Sequence, residues 1–278
     1  LIHDKGKTIQ TILKVLREDL DYYVPEPQIV NAMNFGVPQH RERVYIVGFR
    51  KDQNVNEFTY PIPTDTTKTF ADIKEKDTVS AKYYLSTQYV KTLVAHKERH
   101  AAKGNGFGYE IIPDDGVANA IVVGGMGRER NLVIDNRLED FTPVTNIKGE
   151  INRDGLRRMT PREWARLQGF PDNFIIGVAD ASAYKQFGNS VAVPAIQATA
   201  QEIIKRINLS KSRAAEKAQN AETSATTVQM VSVWFSVVIG VLLTYAGSIG
   251  TLSVAAVLMY QAAWSALSIA VCALKQHN

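Results

Sequence analysis

From Thr223 to Leu274, fifty-two consecutive residues carry no Asp, Glu, Lys or Arg. No other feature restricts the folding of this chain as strongly, because so long an uncharged stretch is hard to hide in a small body. It reads as two apolar segments, about Met230 to Ile249 and Thr251 to Leu274, each near the roughly 20 residues that cross a bilayer. Gly247, Ser248 and Gly250 can form a turn between them. Lys205, Arg206, Lys211, Arg213 and Lys217 precede the pair and Lys275 follows it, so the positive-inside rule leaves both ends cytoplasmic. Ala262, Ala266 and Ala270 form a small-residue stripe suited to helix contact. The expectation is a two-helix hydrophobic hairpin over 228–274, tethering the chain to the inner face of a membrane, after a polar, Ala-rich linker at 211–227. The alternative is a hairpin buried in a soluble protein.

The preceding residues are of a different kind. With 45% hydrophobic and 22% charged residues overall and a net charge of +4, they read as globular and permit an anionic partner without demanding one. A single cysteine, Cys272, excludes a disulfide-stapled module and a Cys-rich zinc site. Leu1 opens the chain without Met or a signal-peptide core, which reads as the interior of a longer frame.

Apolar spacing predicts an amphipathic helix from about Thr8 to Leu20, with Ile9, Ile12, Leu13, Leu16 and Leu20 on one stripe. Tyr22 to Val24 reads as a strand. Val44 to Phe49 reads as a strand buried on both faces, which suggests an α/β sheet. Short strands such as Ala120 to Val123, set among Gly, Asn and charged turns, make 53–152 a small, loop-rich β domain inserted between 1–52 and 153–210. Thr160, Pro161 and Glu163 form a capping-box signature for a helix running to about Gln168. Gly188-Asn189-Ser190 precedes a further helix, roughly Val193 to Ile207.

Three places carry chemistry. Gln39, Arg41 and Arg43 alternate before a strand, so they are expected on one face, where two guanidiniums can grip phosphate or a base carbonyl; the bland reading is a solvated charged turn. Gly188-Asn189-Ser190, read as a helix N-terminus, offers N–H donors and two polar side chains to a ligand, or serves only as a cap. Arg128 and Arg130, beside Gly124, Gly125 and Gly127, can reach base edges in a major groove, or sit on plain hairpin turns. Neither this loop nor Gly104 to Tyr109 matches a dinucleotide fingerprint. His96 and His100 stand at i and i+4, but Glu98 is misplaced for a zinc-protease helix and no third ligand is evident, so no metal is expected and a solvated helix face is the better reading.

The stretch Asn34 to Phe49, with its Gln39-His40-Arg41-Glu42-Arg43 core, resembles the eighth motif of DNA cytosine-5 methyltransferases. Arg158 to Pro171 is similar to the ninth, and Tyr184 to Val191 to the tenth. The order is the family's and the resemblance covers about Leu1 to Ile207. It implies a Rossmann-like catalytic domain with 53–152 as its target-recognition segment, double-stranded DNA as partner and S-adenosylmethionine as methyl donor. It implies that Arg41 and Arg43 hold the DNA backbone and the flipped cytosine, with Gln39 beside them, and that Asn189 and Ser190 border the cofactor pocket. Gly104 to Tyr109 resembles methyltransferases that read sites containing CC and GG.

The family chemistry needs a nucleophilic thiolate in Pro-Cys-Gln and a glutamate in Glu-Asn-Val, and neither tripeptide occurs here. The sequence therefore resembles the carboxyl-terminal part of such an enzyme, of restriction-modification or phage type. The expected function is sequence-specific cytosine-5 methylation, with the missing half supplied by a second chain. The rival reading is a non-catalytic DNA-binding or membrane-tethered remnant.

Overall fold

The computed structural model describes residues 3–64, 68–124, 127–144 and 149–248. They divide into two compact units, 1–206 and 207–278. In the first unit, helix α1 (Lys7–Lys14) continues into one π turn (Val15–Asp19), which matches the expected span. Its apolar stripe is only partly covered: Ile9, Leu13 and Leu16 are half-buried, while Ile12 and Leu20 are exposed.

Strand pairing is sparse. β1 (Tyr22–Tyr23) pairs antiparallel with β5 (Phe49–Arg50), and β2 (Gln28–Asn31) with β4 (Glu42–Tyr45), in the register Ile29 to Val44. β3 (Gln39–His40) runs parallel to β6 (Ala118–Asn119), and β7 (Leu132–Ile134) antiparallel to β8 (Leu156–Arg158). Each sheet among the described residues therefore has two strands. The doubly buried strand expected from Val44 to Phe49 is divided instead, since β4 stops at Tyr45 and β5 starts at Phe49. Val44 is 38% exposed, because a strand with one neighbour in a two-stranded sheet can be covered on one face and open on the other.

The middle stretch also departs from the expected β-rich domain. It contains α2 (Thr87–Ala101), capped by the Ser86 hydroxyl accepting from the Tyr89 N–H at 3.2 Å. Ala120 to Val123 lies outside any ladder. The stretch has a small core of its own, Val79, Tyr84 and Ile151 with Leu138 and Phe141 packed against them, and shares a larger one. Phe70, Ile73, Ile112, Ala118, Ile121 and Val133 pack in one cluster with Met159, Trp164, Leu167, Ala183 and Phe187 from α3 (Pro161–Leu167) and α4 (Asp180–Asn189) and their approach.

A buried charge cluster fastens the two regions. Arg157 is fully buried, its Nε donating to Asp135 at 3.0 Å and its two Nη groups to the Glu163 carboxylate at 2.8 Å each. Glu163 also accepts the Thr160 N–H, completing the predicted capping box, and the Glu75 N–H. Burial alone would raise the Asp135 carboxyl, but Arg137 and Arg157 hold it down at about 2. Two cations thus face two carboxylates, and each buried donor and acceptor has a partner.

Helix α5 runs Val193–Ser248. The stretch read as a linker, 211–227, is thus continuous helix, as its Ala, Glu and Lys content favours. Gly247 and Ser248 are still helical rather than turning. The membrane hairpin finds no support, since among the described residues no helix is long and apolar enough to cross a membrane. Thr251 to Leu274, including Cys272, lies outside them.

Because the Asp135 pKa falls from 3.8 unfolded to about 2 folded, its contribution, on the order of 2 kcal/mol, is present above pH 4 and is lost as pH drops toward 2. Urea unfolding at steps between pH 5 and 2 should show this loss for the wild type. Asp135→Asn should start less stable and show a flatter profile across that window.

Candidate functional site

Backbone hydrogen bonding explains how Gln39 and Arg41 are placed. β3 pairs with β6 through Gln39 and Ala118, and the Ala118 N–H reaches the Pro38 carbonyl at 2.9 Å. Asn31 caps the following turn and accepts the Arg41 N–H on its side-chain oxygen. Both side chains then point inward. Gln39, fully buried, donates to the Leu167 carbonyl at 2.8 Å and accepts the Ile121 N–H at 3.0 Å. Arg41, 6% exposed, donates to the carbonyls of Ile121 (2.7 Å), Gly188 (3.2 Å) and Ser190 (3.0 Å). No carboxylate accompanies it, so burial, with Arg43 beside it, lowers the guanidinium to about 10.

The alternation expected for these residues therefore separates them in function. Arg41 is held inside, with its Nη donors on protein carbonyls, while Arg43 is exposed and donates only to the adjacent Glu42 carbonyl.

Gly188 and Asn189 end α4, and Ser190 is its C-cap; the segment closes one helix two residues before the next begins, rather than forming an N-terminus. The site at Gly188 must be glycine, since a Cβ there would lie 2.6 Å from Val123 Cγ2. The Ser190 hydroxyl donates to the Phe187 carbonyl at 2.8 Å. The Asn189 side chain is exposed and without a hydrogen bond among the described residues.

These features meet at one cavity of about 400 Å³. Arg41, Arg43 and Tyr45 line one side, and Asn189, Ser190, Val191 and Ile196 the other. Segments almost 150 residues apart thus converge on a space with an exposed cation, a free amide and apolar walls. Arg128 and Arg130 lie elsewhere. Arg128 stands 5.4 Å over the Tyr184 ring in a recess of about 150 Å³ with Trp164 and Lys185. Arg130 is half exposed, 4.0 Å from Glu110, on a separate cleft.

The family model for C-5 cytosine-specific DNA methylase matches residues 1–205. The chain belongs to that family. It is 74% identical over 205 residues to Type II methyltransferase M.HpaII of Haemophilus parainfluenzae, a match covering 74% of this chain and 57% of that protein. It is 41% identical over 208 residues to Type II methyltransferase M.SsoII of Shigella sonnei, covering 74% and 50%. The chain thus spans little more than half the length of these relatives. The S. pombe Dnmt2 methyltransferase crystal structure shares the fold, with TM-score 0.54, 18% identity, and coverage of 73% of this chain and 64% of that one.

In this methylase, sequence reasoning missed Gln168. Fully buried at the C-cap of α3, it donates to the Phe187 carbonyl at 2.8 Å, and Gln39 reaches its side-chain oxygen at 3.4 Å. It thereby joins all three motif segments. A polar residue directly after the buried Leu167 was its one visible signal.

Arg41→Ala removes three charge-assisted bonds and strands buried carbonyls, and should lower stability by about 2–4 kcal/mol. Arg43→Ala should leave stability within about 0.5 kcal/mol. Paired urea titrations of the two variants check both values.

Proposed function

We propose that this chain is the carboxyl-terminal, DNA-facing part of a cytosine-5 methyltransferase that modifies a specific site in double-stranded DNA within a restriction-modification system. In this reading 34–49, 158–171 and 184–191 are the family's eighth, ninth and tenth motifs and 53–152 is the target-recognition segment. The observation that carries it is the convergence of Arg43, Asn189 and Ser190 on one cavity. The type II methyltransferases among its relatives support the class of system.

S-adenosylmethionine fits the residues present, because the unpaired Asn189 amide and the Ser190 oxygen offer polar contacts beside apolar Val191 and Ile196. Bound there, it would supply an electrophilic methyl group. Arg43 provides the exposed cation for a phosphate or base oxygen. Gln39, Arg41 and Gln168 position that stretch from beneath. With Pro-Cys-Gln and Glu-Asn-Val absent from these 278 residues, the attacking thiolate and the base-binding carboxylate come from outside them, on a longer form of this chain or a second polypeptide.

Labelled-methyl transfer to duplex DNA tests this. The purified chain alone should incorporate nothing. Mixed with the part of M.HpaII that it does not match, it should methylate DNA, and Arg43→Ala should reduce that activity about tenfold or more. Methylation by the chain alone would defeat the fragment reading, and a mixture that binds DNA without methylating it would favour the non-catalytic remnant.

A further inference from the structure

The cleft carrying Arg130 lies away from the cavity just described and has an unusual construction. It measures about 430 Å³ and is lined by His96, His100, Gly106, Phe107, Gly108 and Arg130. His96 and His100, one turn apart on α2, stack with ring centroids 4.4 Å apart, and the edge of Phe107 meets His100 at 5.7 Å. Phe107 remains 67% exposed, so its ring is open to a ligand in the cleft.

The loop is fixed in this position. His100 Nδ1 and Asn105 Oδ1 are 2.7 Å apart, and the Asn105 N–H reaches the His100 carbonyl. Gly108 lies so close to α2 that a Cβ would fall 2.8 Å from Lys97 Cγ. Lys97 in turn sits 4.9 Å over the Tyr109 ring. Nδ1 of His96 is buried without a hydrogen-bond partner among the described residues.

Arg130 is presented as firmly as an exposed side chain can be. Its two neighbours are buried: Glu129, 3% exposed, accepts from Arg158 at 2.8 Å and from Tyr89, and Asn131, fully buried, bonds the Asn119 backbone in both directions. The backbone on both sides is thereby pinned while the guanidinium points outward. Glu110 accepts from Asn119 on Oε2 at 2.7 Å and faces Arg130 through Oε1 at 4.0 Å, a long, half-exposed pair. Arg128 lacks this arrangement, since it lies against Tyr184 instead. Helix α2 and the turn after it carry Lys91, Lys97, Arg99 and Lys103 against Glu98, with Glu110 facing Arg130, a net positive stretch that attracts a phosphate backbone.

We infer that this cleft is a base-reading site, with Arg130 recognising a guanine edge in the major groove and Phe107 forming the apolar wall against the neighbouring base. A half-exposed guanidinium on a pinned backbone, held only by a long pair to Glu110, matches guanine O6 and N7 as a two-point acceptor, and the fixed backbone lowers the ordering cost of binding. Arg128 contributes at most to backbone contact. The inference rests on the DNA-modifying function proposed above.

Selection of a randomised duplex library by the purified full chain, followed by sequencing, tests it. Wild type should enrich at least one guanine position. Arg130→Ala should lose discrimination there by about 5- to 150-fold, the range of one bidentate base contact, and Arg130→Lys should restore overall affinity without the discrimination. Phe107→Ala should weaken preference at the adjacent position, and Arg128→Ala should leave the guanine preference intact. Circular dichroism confirms folding of each variant. Guanine preference unchanged in Arg130→Ala, or lost in Arg128→Ala, overturns this assignment and leaves the proposed function standing. Failure of wild type to bind any duplex, alone and mixed with the part of M.HpaII that it does not match, overturns both.

Discussion

Gln39 and Arg41 satisfy backbone groups drawn from three distant parts of the chain: Ile121, Leu167, and the Gly188–Ser190 turn. The need for them follows from the scarcity of regular structure. With only two-stranded ladders among the described residues, many buried carbonyls lie outside any sheet, and a buried polar group without a partner costs about 1–3 kcal/mol. Long side chains with several donors perform the task that a continuous ladder performs elsewhere. Asn131 and Asn152 act similarly, each bonding backbone on both its donor and acceptor sides.

The structure buries guanidiniums in two contrasting ways. Arg157 is matched by Asp135 and Glu163, so its charge is neutralised locally and it binds the middle stretch to α3. Arg41 faces carbonyl dipoles without a carboxylate, and although burial lowers its pKa to about 10 it stays charged near neutral pH, which keeps a positive field close to the cavity where Arg43 is exposed. Only the Arg41 arrangement bears on the cavity wall, where the exposed guanidinium is that of Arg43.

The capping box at Thr160 and Glu163 was legible because it needs only four consecutive residues, and the structure reproduces it. The amphipathic start and the helix from Val193 were legible for the same reason, although α5 continues to Ser248 where polar composition suggested a linker. Helix α2 was legible only as a solvated helix face around His96 and His100, because among the Gly and charged turns its weak apolar stripe buries only Leu93. The divided strand at Val44 to Phe49 shows the opposite error, because an apolar run indicates burial but not how many strands lie beside it.

The sequence by itself determined which residues belong together chemically. Gln39, Arg41 and Arg43, the Asn189-Ser190 pair, and the family to which they point were all readable from local order and residue type. Tertiary structure alone decided their division of labour. Whether an arginine meets solvent or a carbonyl depends on where Ile121 and Gly188 arrive, and those positions are 80 and 147 residues away. The same holds for Arg128 and Arg130, two residues apart, which buried partners at Glu129 and Asn131 send to different surfaces. Periodicity registers a side chain's turn about its own backbone, but it carries no information about what packs opposite.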